Sequence, residues 1–212
     1  SRGEDTVSVV DLAKKEVREV KVGRLPIRLT YNEASGEVFV ANNGDGSIYA
    51  ISPDLSLTKI DLKLPAYASY PISLWYSNSA KKLIALNAFG RRLYFIDPAN
   101  AKILKEEKVD GWTRYVAGGD AASLAVVHRS NSSDLLMVDP ATLEATYIPY
   151  TDTETRIFSS PQMVIGDEEL GRIYVANLDL GNIIVIDGKN LSVAAQIKMG
   201  ADPQVMVLND KT

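Results

Sequence analysis

The single histidine of the chain, His128, is followed directly by Arg129, with Trp112 and Arg114 a short way upstream. Histidine titrates near neutral pH, arginine forks onto carboxylates and phosphates, and tryptophan offers a broad amphipathic face. That set suits recognition of an anion or a polypeptide. A histidine metal cluster or a histidine dyad would need a second histidine. Two further stretches mix aromatic and charged side chains, as recognition patches do. Residues 63–70 carry Tyr67 and Tyr70, and residues 149–160 carry Tyr150, Asp152, Glu154, Arg156 and Phe158. Arg28 stands apart from these in sequence. The plain alternatives are a turn role for His128, packing for Trp112, and a nearby Asp or water for each arginine.

Other chemistry finds little support. Cysteine is absent, so there is no disulfide and no thiolate metal site. The chain shows no P-loop, dinucleotide fingerprint, zinc-protease helix motif, nucleophile elbow or EF-hand spacing. A net charge of -4 gives no electrostatic reason to expect nucleic acid or an acidic membrane. No apolar stretch approaches the roughly 20 residues that span a bilayer as a helix. Asn131-Ser132-Ser133 and Asn190-Leu191-Ser192 match the glycosylation triplet, which matters only in a secreted protein.

The elements that must position these residues are repeated. Pro26, Pro71, Trp112 and Pro161 are each followed sixteen residues later by the end of an apolar run, at Asn42, Asn87, His128 and Asn177. Ten or eleven residues further on, a second run closes at Ser52, Asp97, Asp139 and Asp187. Each period holds four short runs rich in Ile, Leu, Val, Tyr and Phe. In the second period they cover 72–76, 82–87, 92–97 and 103–109. Runs of this length and composition, separated by Gly, Asn and Asp-Pro turns, read as strands and leave no room for an ordinary helix. We name the strands of a period a, b, c and d.

A meander of four short strands cannot cover its own apolar faces. Radial stacking of neighbours does so, and the near-continuous apolar c runs fit sheets covered on both faces. The fold class is therefore all-β, a β-propeller of four-stranded antiparallel blades in a single domain, 1–212. Residues 1–22 supply strands c and d of a closing blade. Residues 23–62, 63–109, 110–148 and 149–198 form complete blades, and 199–212 return strand a. Ser1 falls in mid-repeat, so the start reads as a processed end. Five blades with a composite closing blade that lacks strand b is the favoured count. A part of a seven-bladed ring is the alternative.

Thr6-Val7-Ser8-Val9-Val10-Asp11, Val38-Phe39-Val40-Ala41-Asn42 and Ile173-Tyr174-Val175-Ala176-Asn177 resemble the YVTN-type β-propeller repeat. The likeness runs over nearly the whole chain, strongest in the first and fourth complete periods and weakest in the third. It implies a surface-layer-type, periplasmic or secreted propeller outside the cytoplasm, of a family in which many members have no assigned activity and those with chemistry borrow it from a cofactor or a partner subunit; no cofactor is expected for this chain.

Residues repeated in every period are expected to serve the fold: the Asn at the b–c turn and the Asp at the c–d turn. Departures are the candidates. Arg28 and Arg114, both two residues past an anchor, are expected to form a fork at the channel mouth. The d–a and b–c connections share one face, and both long segments are d–a connections. The expected function is a non-enzymatic binding or scaffold module. Its binding residues are Arg28, Tyr67, Tyr70, Trp112, Arg114, His128, Arg129, Tyr150 and Arg156, and its ligand a protein or a small anion. No metal site and no nucleic-acid partner are expected. The missing strand b leaves room for a strand-donating partner. A channel-sited hydrolase of lactonase or esterase type, and a subunit completed by another chain, are the alternative readings.

Overall fold

The computed structural model describes residues 3–60, 71–87, 89–109, 113–119, 124–129, 135–148, 161–167, 169–178, 180–200, 202–203 and 205–207. Every element described is a strand, and every pairing is antiparallel between neighbours in sequence. The first sheet holds β1 (Thr6–Asp11) and β2 (Glu16–Lys21). Four four-stranded blades follow. The first is β3 (Pro26–Asn32), β4 (Glu37–Asn42), β5 (Ser47–Ile51) and β6 (Leu57–Ile60). The second is β7 (Pro71–Ser77), β8 (Lys82–Asn87), β9 (Arg92–Asp97) and β10 (Lys102–Lys108). The third is β11 (Thr113–Gly119), β12 (Leu124–Arg129), β13 (Leu135–Asp139) and β14 (Glu144–Ile148). The fourth is β15 (Pro161–Asp167), β16 (Arg172–Asn177), β17 (Asn182–Asp187) and β18 (Val193–Lys198).

The turns follow from side chains that bond their own backbone. At the c–d turns, Oδ1 of Asp11, Asp97, Asp139 and Asp187 accepts amide N–H groups two or three residues on. Such turns satisfy donors that the ladder leaves over. Left-handed backbone recurs at hairpin turns, and it is not confined to glycine. Lys81, Ala101, Leu143 and Leu191 all have φ between 49° and 61°.

The core lies between blades. Phe39 and Ala41 of the first blade meet Leu74, Tyr76 and Leu83 of the second. Leu86 and Phe95 of the second meet Val116, Leu136 and Val138 of the third. Met137 of the third meets Val164, Ile173 and Ile184 of the fourth. Val7, Val9 and Val20 of the two-stranded sheet pack on Val38, Val40 and Ile51. In β4, β8, β9 and β13 apolar side chains thus leave both faces of the strand, which explains the lack of simple alternation in the sequence.

Polar ties join the a strands of successive blades. Tyr76 N donates to Thr30 Oγ1 at 2.9 Å. Ser73 Oγ accepts from Val116 N at 3.0 Å and donates to Val116 O at 3.3 Å. Met206 N donates to Met163 Sδ at 3.2 Å. Ser73 and Met163 each stand two residues past an anchor proline, and their partners Val116 and Met206 stand three past Thr113 and Pro203. Pro203 and Val205–Val207 therefore lie beside β15, in the place of a fifth a strand. Among the described residues they pair with no strand, and β1 has β2 as its sole partner. The first sheet is thus two-stranded among the described residues, without the strand a expected from 199–212.

Candidate functional site

The d–a connections and b–c turns meet at one end of the blades, and backbone chemistry fixes them together. Val22 N donates to Asp5 O, Asn43 N to Leu25 O, and Gly44 N to Arg24 O, at 2.9 to 3.0 Å. The same contact recurs in later blades, from Val109 N to Arg91 O and from Met199 N to Gly181 O. Gly23 is required here by close approach. A Cβ at that position would lie 2.3 Å from Ser47 Oγ and 2.8 Å from Asn42 Cγ. The rim is thus a built platform rather than a set of independent loops.

Asp45 anchors it. Its Oδ2 accepts from Arg24 N at 2.9 Å, and its Oδ1 accepts from Ser47 N at 3.0 Å and from Ser47 Oγ at 2.6 Å. Partial burial pushes the Asp45 carboxyl up, but the Ser47 hydroxyl and the Arg24 and Ser47 amides outweigh it, so the group sits below the usual carboxylate range. A carboxylate held ionised in this way is a poor general base. Asn42 sits beneath it, with Nδ2 donating to Ser47 O and Ser47 Oγ. In the fourth blade Asn177 Nδ2 donates to Asn182 Oδ1 at 2.9 Å, and in the second Gly90 N donates to Asn87 Oδ1 at 2.8 Å. The recurring Asn serves the b–c turn, as its repetition predicts.

Topology places four of the candidate residues, Arg28, Arg114, His128 and Arg129, towards this end, because a strands begin there and b strands end there. Arg28 is near the start of β3, exposed, with Nη1 donating to Ile27 O at 3.2 Å. It borders a groove of about 390 Å3 lined by Thr6, Val7, Ser8, Pro26, Ile27 and Leu29. Arg114 is the second residue of β11, and His128 and Arg129 are the last two of β12. Tyr67, Tyr70, Trp112, Tyr150 and Arg156 lie outside the described residues. They fall between Ile60 and Pro71, between Val109 and Thr113 and between Ile148 and Pro161.

Backbone register corrects the third period by one residue. Thr113 pairs with Arg129 as Pro26 pairs with Asn42, and Val116 pairs with Val127 as Leu29 pairs with Val40. Thr113 and Arg129, not Trp112 and His128, hold the anchor and Asn positions. His128 falls level with Ala41. Counting back from the paired Val116 sets Arg114 level with Ile27, so Arg28 and Arg114 are not at equivalent positions. Sequence spacing carried the signal: from Arg129 to Asp139 is ten residues, matching the other periods, whereas from His128 it is eleven.

Two features escaped the sequence reading altogether. One is the interblade role of Ser73. The other is an apolar patch on the first blade, with Leu29 and Tyr31 exposed. Among the described residues, no group of three or more His, Asp or Glu side chains could hold a metal ion. The c–d Asp carboxylates are each taken up by their own turn. The backbone amides of Lys14 and Lys189 hold Asp11 and Asp187 below the usual carboxylate range, and the Asn100 side chain does so for Asp97.

No protein-family model matches the chain, and no curated protein matches it either. Solved structures do. A catalytically inactive virginiamycin B lyase from Staphylococcus aureus, crystallised with quinupristin, superimposes with a TM-score of 0.74 at 14% identity, covering 96% of this chain and 66% of that one. A streptogramin B lyase gives 0.75 at 13% identity, covering 96% and 64%. A chain from a nidogen–laminin complex gives 0.64 at 10% identity, covering 93% and 73%. The fold is that of a β-propeller. At these identities the likeness establishes the propeller architecture and nothing about activity. The chain spans about two thirds of the length of the lyases it matches.

Proposed function

We propose that this propeller is a non-enzymatic module of the YVTN type, acting outside the cytoplasm and binding a protein or a small anionic ligand through the rim of d–a and b–c connections. The observation that supports it is the rim itself. Hydrogen bonds between d–a and b–c segments recur from blade to blade and make a fixed platform. The two long connections join strands whose ends lie at this platform, and their sequences contain Tyr67, Tyr70, Tyr150 and Arg156. Connections of about a dozen residues in an otherwise tight repeat are usually functional. Arginine and aromatic side chains on a rigid scaffold are what interface anchors are made of.

The test uses the double variant Trp112→Ala, Arg156→Ala beside the wild type. Each is immobilised and challenged with extracellular proteins from the native source, and separately titrated with citrate and with inorganic phosphate. The variant is expected to lose retention or anion binding with its melting temperature nearly unchanged. Equal binding by the two proteins would refute the rim as the binding surface.

A further inference from the structure

We propose that the b–c turn of the second blade is an anchor point of the rim, and that it takes a protein segment in which an apolar side chain stands beside carboxylates. Phe89 meets the apolar side chain and Arg91 a carboxylate. The inference rests on the rim reading above and deepens it, by naming the contact residues and the chemistry of the partner.

Register sets this turn level with that of the first blade. Asn42 pairs with Ser47 and Asn87 with Arg92 across loops of equal length, so Phe89 stands at the place of Gly44 and Arg91 at that of Gly46. At Gly44 a side chain has no room, because a Cβ would lie 2.9 Å from Arg24 Cβ and 3.0 Å from Leu25 Cγ. Phe89 carries a full ring at that place. It is 68% exposed and belongs to none of the apolar clusters between blades. A lone exposed ring on a loose loop would mean little. The setting of Phe89 is neither lone nor loose.

The turn is held as a fixed frame. Gly90 N donates to Oδ1 of the buried Asn87 at 2.8 Å, and Val109 N donates to Arg91 O at 3.0 Å. A Cβ at Gly90 would lie 2.9 Å from Asn87 Nδ2, so the turn is closed down on that side chain. A ring displayed on such a frame loses little freedom when a partner covers it. Charge names the partner. Arg92 is taken by Glu106. Arg91 and, on the first blade's d–a connection, Arg24 are exposed, and among the described residues neither guanidinium has an ion-pair partner. Asp45, the carboxylate of the first blade's turn, is engaged by the amides of Arg24 and Ser47. Two unpaired guanidinium groups and an exposed ring therefore stand on the rim of adjacent blades, in a chain of net charge -4. Arginine forks onto carboxylates, and opposite charge across an interface selects the partner. The spread over two connections suits a polypeptide rather than a small anion. The left-handed backbone of Arg91, φ 49°, is not itself the mark, since Lys81 has φ 54° at an a–b turn.

The probe is a fluorescently labelled synthetic peptide in which Phe is spaced between Glu residues, titrated with the intact chain by anisotropy. One control peptide has Lys in place of Glu, the other Ala in place of Phe. The acidic aromatic peptide is expected to bind saturably, and less tightly as salt rises. Either control peptide, or Phe89→Ser or Arg91→Gly in the chain, is expected to lower affinity by about tenfold or more, the range of an interface anchor. Glycine suits the left-handed turn, so Arg91→Gly should hold or raise the melting temperature while it lowers affinity. A residue that served the turn alone would leave affinity unmoved. Lys81→Gly relieves the same backbone and removes a cation at the other end of the blade, and it should bind as the wild type does. The proposal is overturned if the wild type fails to bind the acidic aromatic peptide, if the control peptides bind equally well, or if Phe89→Ser or Arg91→Gly binds undiminished. The double variant at Trp112 and Arg156 judges the rim separately. Loss of retention there, beside undiminished peptide binding by Phe89→Ser, would strike this turn and leave the rim standing.

Discussion

Ser73→Ala tests whether blades two and three are held together by a polar tie as well as by apolar packing. Ser73 is 2% exposed and Val116 is 4% exposed. One hydroxyl serves both backbone groups of Val116, at 3.0 Å to N and 3.3 Å to O. Removing it leaves a buried N–H without its acceptor, which costs about 1–3 kcal/mol. The carbonyl loses the longer bond and keeps a second lone pair, so it adds little. The missing oxygen leaves a void too small for water. The sum is about 2 kcal/mol, and for a chain of this size that lowers the melting temperature by roughly 4–8 °C. Urea unfolding followed by fluorescence and by circular dichroism gives the free energy. Agreement between the two probes shows whether the blades unfold as one unit. Trp75, two residues from Ser73 and packed against the same core, places a reporter at the joint. Ser35→Ala, on an exposed turn, is the control and should stay within about 0.5 kcal/mol. A loss below about 0.5 kcal/mol at Ser73 would refute the reasoning, because a buried donor cannot be orphaned at no cost.

Phe39→Ala removes a 2% exposed ring shared by the first two blades and should cost about 3–5 kcal/mol in the same unfolding assay. A much smaller loss would mean that these blades do not share a core. Ala101 adopts φ 49° at the turn before β10. Ala101→Gly relieves the left-handed strain, about 1–2 kcal/mol, against roughly 0.4–1 kcal/mol of added unfolded-state freedom. A small rise in melting temperature is expected, and a fall would count against that turn geometry. Acid should destabilise the fold through the turn carboxylates. The folded-state pKa of Asp97 is lowered, first by the Asn100 side chain, and that of Asp54 by the Ser56 hydroxyl. A lowered folded value means stability that is fully present above the unfolded value and lost as pH falls through the folded one. Melting temperature should hold above about pH 5 and drop below about pH 4. Asp97→Asn together with Asp54→Asn should flatten that drop, and an unchanged profile would show that other groups cause it.

The blades were legible because their rules are local and repeated. Asn42, Asn87 and Asn177 end their strands where spacing placed them, and Asp97, Asp139 and Asp187 close theirs. Alignment failed in the third period for a physical reason. Ala125-Val126-Val127 is apolar throughout, so its residues carry no parity mark. Without an Asn to end the run, His128 took a place that hydrogen-bond register gives to Arg129. Parity also decides the arginines. A shift of one residue in a strand sends a side chain to the opposite face, so the paired arrangement of Arg28 and Arg114 hangs on a register that only the ten-residue spacing from Arg129 to Asp139 marks in the sequence.

Function was less legible because a propeller separates what specifies the fold from what touches a ligand. The strongest signals in this sequence, the Asn and Asp at fixed offsets, are consumed by backbone donors within each blade and carry no information about a ligand. The patch at Leu29 and Tyr31 shows the opposite relation. In composition the pair is indistinguishable from Leu74 and Tyr76, which it matches residue for residue. Only the presence or absence of a preceding a–b hairpin turns the same two residues from core into surface. Exposure is therefore a property of a blade's neighbour rather than of its own sequence.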